Sequence, residues 1–134
     1  MEEEVLEKYK KAYEISEKIF EFALPLVRMD AKALEVAEKI EAKIFELGGK
    51  PAWPVNVSIN EIAAHYTPSP NDTTIFYEKD FVKIDFGVHV DGYIADRAFT
   101  VFVGHNSHPL IDAAKKATEE ALKVLQPGVK ICEI

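Results

Sequence analysis

The stretch FVKIDFGVHVDGYIADRAFTVFVG, Phe81 to Gly104, decides the fold. Two apolar-rich runs flank Asp91-Gly92. An Asp-Gly pair between alternating runs is the strongest short-range signal for a two-residue type I′ hairpin, since both turn positions need positive φ. Such a turn sets the register: Val90 opposite Tyr93, Val88 opposite Ala95, Gly87 opposite Asp96 and Asp85 opposite Ala98. Directly opposed residues share a face of the sheet, as do residues two apart on one strand. Asp85 and Asp96 therefore fall on one face as diagonal neighbours, roughly 5–8 Å apart at their Cβ atoms. The other face carries Ile84, Phe86, Val88, Val90, Tyr93, Phe99 and Val101, a core set. Gly87 leaves space above the backbone between the acids, and Thr100 offers a hydroxyl on their face.

Two carboxylates this close repel each other unless one is protonated or a cation sits between them. Hard divalent cations take oxygen ligands, and a bridging carboxylate is a common way to hold two of them together. An acid pair that simply faces water is the competing reading. Hairpin geometry alone leaves both open.

A chain of 134 residues, 48% hydrophobic and 29% charged, is one domain's worth of globular sequence with enough apolar content for a core. Its net charge of −7 and lack of a basic stripe argue against nucleic acid as a partner. The lone Cys132 excludes an internal disulfide and fits a reducing compartment. MEEEVLEKYKKAYEISEKIF is too charged for a signal peptide, and no run is apolar enough for a membrane span. A cytoplasmic protein without membrane contact is the expectation.

Apolar residues at helical spacing (Val5, Tyr9, Ala12, Ile15, Ile19, Ala23) predict a helix from about Glu3 to Phe22, ended near Pro25. Asp30 is the expected N-cap of a second helix carrying Leu34, Ala37, Ile40, Ile44 and Leu47, stopped by Gly48-Gly49. Prolines on either side of Trp53 fix where its indole points. Val55–Ile59 alternates like a short strand, and Pro68 to Asp72 reads as a loop. Thr73–Tyr77 is expected as an edge strand before the hairpin. A third helix follows Pro109, with Ile111, Ala114, Thr118, Ala121 (or Leu122) and Leu125 along one face. LQPGVKICE, from Leu125, echoes ALPLVRMDA, from Ala23, at a spacing of 102 residues. Either the echo is chance, or a second copy of a helix–turn–helix–sheet unit begins near Ser107 and is cut off at Ile134.

Taken together, GGKPAWPVNVSINEIAAHYTP, DTTIF and KIDFGVHVDGYIADRAFTV resemble the N-terminal half of a type 2 methionine aminopeptidase, the archaeal and eukaryotic kind. The resemblance spans nearly the whole chain. It implies an α/β (α+β) architecture, the first half of a pita-bread (creatinase/aminopeptidase-like) fold, with an antiparallel-rich sheet covered by two or three helices. It implies metal-dependent removal of the initiator methionine from nascent polypeptides with a small second residue. Two divalent ions (Co, Mn, Fe or Zn) are held in that family by two aspartates, a histidine and two glutamates. By the same resemblance Asp85 chelates one metal and Asp96 bridges both. His65 is the non-ligand histidine that contacts substrate. Trp53 stands where a phenylalanine usually lines the methionine pocket. The remaining histidine and both glutamates have no counterpart in these 134 residues, so a continuation or a second polypeptide is expected to supply them. The alternatives are an inactive truncated fragment and a non-catalytic binding module of the same fold. Relatives of the latter kind lose the metal aspartates that this chain keeps.

Overall fold

The computed structural model describes residues 2–134. It divides into two compact units, Met1–Gly104 and His105–Ile134.

The first unit opens with helix α1, Glu3–Ala23, which buries Ala12, Ile15, Ser16, Ile19 and Ala23 on one stripe. A 3₁₀ turn, Leu24–Leu26, follows with Pro25 inside it. Helix α2, Ala33–Glu46, buries Ala33, Val36, Ala37, Ile40 and Ile44. Its start departs from expectation. The cap position is Lys32, without a side-chain cap, while Asp30 sits at φ 62° in the left-handed region. Backbone pairing takes the place of the cap: Asp30 N–H donates to the Phe76 carbonyl and Ala33 N–H to the Thr74 carbonyl, both at 2.9 Å. That pairing also accounts for Thr73–Tyr77. It is not a strand beside the hairpin but a single bridge, Ile75 to Lys32, tying the loop to the entrance of α2.

Strand β3, Phe81–Val90, and strand β4, Tyr93–Phe102, form the expected hairpin, with Gly87 opposite Asp96 and Asp85 opposite Ala98. Asp91 and Gly92 have φ of 51° and 90°, the two positive values a type I′ turn demands. The free edge of β3 pairs antiparallel with two short strands, β1 (Lys50–Pro51) and β2 (Asn56–Ile59). Pro51 lies opposite Val88, and Asn56 opposite Asp85. Four residues, Ala52 to Val55, thus stand against only Phe86 and Gly87, and the surplus bulges out of the ladder. β1 was not foreseen in the sequence.

Helix α1 packs across β3 and β4, and α2 against α1, β1 and β2. Val82, Ile84, Phe86 and Val88 of β3 are fully buried beneath them, with Val55, Val57, Phe76 and Val103 completing the core. Each such side chain contributes about 1.5–3 kcal/mol through burial. One charged residue shares that face: Arg97 pairs with Glu17 of α1 and stacks over the rings of Tyr13 and Phe20.

The second unit holds helix α3, Pro109–Val124, and a 3₁₀ turn, Ile131–Glu133. The His108 side chain caps α3 by accepting from Leu110 N–H. No residue of α3 is buried, and Leu110 and Leu122 are more than half exposed. Among the described residues no helix is long and apolar enough to cross a membrane.

Candidate active site

The face of the hairpin turned away from the core carries the acids. Asp85, Asp96, Trp53 and His65 all line one open concavity of about 480 Å³, together with Pro54, Asn56 and Thr67. All four residues singled out from the sequence are therefore brought to one place, from three different segments.

Each arrives by an identifiable cause. Asp85 and Asp96 come from the register of the type I′ hairpin. Trp53 comes from the bulge, where Ala52 N–H donates to the Gly87 carbonyl at 2.9 Å and so anchors the segment before the indole. His65 comes from the loop after β2. Its neighbour Tyr66 is pinned to that strand through its carbonyl, which accepts from Val57 N–H at 2.7 Å, and through its own N–H, which donates to Ser58 Oγ at 3.2 Å. Tyr66 Oη donates to Asp72, which also accepts from Thr74 N–H, so Asp72 is a loop anchor rather than a site residue. Between these ties His65 adopts φ 65°, a left-handed conformation that costs a non-glycine residue on the order of 1–2 kcal/mol. Such strain persists where the surroundings over-determine it, and it clusters at functional positions.

Desolvation, and then the charge of Asp85, hold the Asp96 carboxyl above its ordinary value. A carboxyl whose ionisation is disfavoured beside a second acid marks a place where a cation is welcome. The indole N–H of Trp53 donates to Asp85 Oδ1 at 3.3 Å. The space expected above Gly87 is filled: a Cβ built there would lie 2.5 Å from the Trp53 ring and 2.8 Å from Ala52 Cβ. Glycine is needed at this position so that the indole can lie on the strand.

Two lining residues were missed in the sequence. Asn56 stands directly opposite Asp85, and its Oδ1 accepts from the Thr67 hydroxyl at 2.7 Å. Thr67 was visible within AAHYTP, but only the pairing of β2 with β3 shows what Asn56 faces. His89, although two residues beyond Gly87 on the acid face, accepts from Gly92 N–H and serves the turn.

Carboxylate oxygens suit a hard divalent cation. Among the described residues, however, no group of three or more His, Cys, Asp or Glu is placed to hold a metal ion. The acids fit as part of a ligand set and are too few to be all of one.

Known proteins sharpen this picture. The chain is 50% identical over 129 residues to a methionine aminopeptidase of Pyrococcus horikoshii, covering 96% of this chain and 44% of that protein. It is 48% identical over 134 residues to one of Archaeoglobus fulgidus, again spanning less than half of the relative's length. A shorter methionine aminopeptidase of Methanothermus fervidus is 42% identical, with 76% of its length covered. Among solved structures, the methionine aminopeptidase of Thermotoga maritima superposes with a TM-score of 0.87 at 25% identity, over 97% of this chain and 56% of that one. A proline aminopeptidase of Yersinia pestis matches in fold with a TM-score of 0.88. The architecture is that of the pita-bread aminopeptidases, mixed α/β with an antiparallel sheet. An acid pair on a hairpin of this fold, within a sequence matched from residue 7 to residue 134, has one family to which it answers: the chain belongs to metallopeptidase family M24.

Proposed function

We propose that this chain is the N-terminal half of a type 2 methionine aminopeptidase, which removes the initiator methionine from nascent polypeptides with a small second residue. In this reading a second pseudo-repeat begins near residue 107. The observation that carries the reading is the delivery of Asp85 and Asp96 to one concavity alongside His65. Retention of both acids favours this over a non-catalytic binding module of the same fold.

Asp85 and Asp96 would hold divalent cations, with a histidine and two glutamates from a continuation or second chain completing the set. When bound, the cations supply Lewis acidity toward water and the scissile carbonyl. The chain's own residues do the rest of the work on this side of the substrate. Asp85 and Asp96 present fixed negative charge where cationic charge is needed. His65, which lines the same concavity next to the pinned Tyr66, would donate a hydrogen bond to the carbonyl oxygen as negative charge develops there. Trp53 forms an apolar wall for the methionine side chain.

Calorimetric titration with Mn²⁺ or Co²⁺, beside a methionyl-peptide assay, tests this. The 134-residue chain should bind metal weakly and without turnover, and Asp85→Asn or Asp96→Asn should abolish the binding heat. Tight uptake of two ions with turnover, or binding indifferent to both substitutions, overturns the proposal.

A further inference from the structure

Trp53 is the chain's single tryptophan, and it does more than wall a pocket. Its six-membered ring lies on the Cα of Gly87, between the register positions of the two acids, while its N–H reaches Asp85 Oδ1 at 3.3 Å. Among the described residues that N–H is the only side-chain hydrogen-bond partner of the Asp85 carboxylate. The backbone that carries the ring is restrained. The bulge that carries it is fixed at Ala52 by the hydrogen bond to the Gly87 carbonyl, and Pro54 restricts the backbone just after it.

We propose that Trp53 is a positioning residue for Asp85: the indole N–H engages one carboxylate oxygen and turns the other toward the cation that the acid pair shares. The inference rests on the reading of Asp85 as a metal ligand. Outer-shell donors of this kind fix the orientation of a ligating carboxylate before the ion arrives, so less conformational freedom is lost on binding. A phenylalanine keeps the apolar ring and loses the donor, which separates positioning from packing. Loss of such an outer-shell partner costs about 10–100-fold in metal affinity.

Two measurements on the full 134-residue chain test it. In chain labelled with ¹⁵N-tryptophan, the lone indole cross-peak reports the hydrogen bond. Asp85→Ala should move it toward the solvent-exposed position by far more than Asp96→Ala does, and Mn²⁺ should broaden it. Mn²⁺ affinity is then read from the electron paramagnetic resonance signal of the free ion, with Trp53→Phe expected to weaken binding about tenfold. A merely structural tryptophan would lower the melting temperature and leave the affinity where it was. Equal affinity of the unsubstituted chain and Trp53→Phe, or an indole peak indifferent to Asp85→Ala, overturns the positioning role alone. Failure of the unsubstituted chain to bind Mn²⁺ at all overturns the metal site and this inference with it.

Discussion

The two faces of the β3–β4 hairpin are made from the same twenty-two residues, yet they are built on opposite terms. On the core face Val82, Ile84, Phe86 and Val88 are fully buried under α1 and α2, and the one charge, Arg97, is matched by Glu17 and flanked by rings. On the other face two acids lie near each other, Asp96 is held above its ordinary pKa, and a glycine, weak in a strand interior, is kept because a side chain would collide with the Trp53 ring. One face gathers stability, and the other gives some of it up to assemble a site. Alternation along a strand lets both happen without either disturbing the other.

The sharpest way to break this contrast is on the core face. Phe86→Ala should cost about 3–5 kcal/mol of stability, read from urea unfolding, because the side chain is fully buried and its removal leaves a cavity. A loss below about 1 kcal/mol would mean the core is not packed as described.

Next in size comes Gly87→Ala on the acid face. A methyl group 2.5 Å from the indole and 2.8 Å from Ala52 Cβ forces the bulge to shift, at a cost of about 1–3 kcal/mol. A neutral or stabilising outcome would show that the ring does not rest on the strand.

Asp96→Asn should act in the opposite sense and more gently. The folded-state pKa of Asp96 is raised, so its ionised form opposes folding at neutral pH. That penalty is relieved as pH falls through the raised value, and it has gone once pH lies below the unfolded value near 3.8. Metal-free chain should therefore show a contribution to melting temperature that rises on mild acidification, and Asp96→Asn should flatten it. A profile unchanged by the substitution would remove the electrostatic argument for a cation at this face.

Much of this was legible in the chain. Asp91-Gly92 states the turn, the turn states the register, and the register puts Asp85 and Asp96 on one face; every step is local and steric. Helical periodicity likewise located α1 and α2 to within a residue or two. It also gave α3 an apolar stripe, Ile111 to Leu125, yet that helix buries nothing in its own unit. Periodicity says which side of a helix is apolar and is silent on what covers it. Asp30 looked like a cap by composition, but pairing between residues 30–33 and 74–76 took over that role, and the same pairing turned an expected strand into a single bridge.

By itself, then, the sequence determined the hairpin, its register, the shared face of the two acids and the two core helices, because short-range sterics and alternation are written residue by residue. Tertiary structure alone decided that Lys50–Pro51 and Asn56–Ile59 lie along one edge of β3 with a four-residue bulge between them. From that bulge follow the indole on Gly87, its hydrogen bond to Asp85 and the place of Asn56 opposite the same acid. These contacts join residues some thirty positions apart, and such pairings are selected by the packing of the whole sheet, which no local pattern encodes.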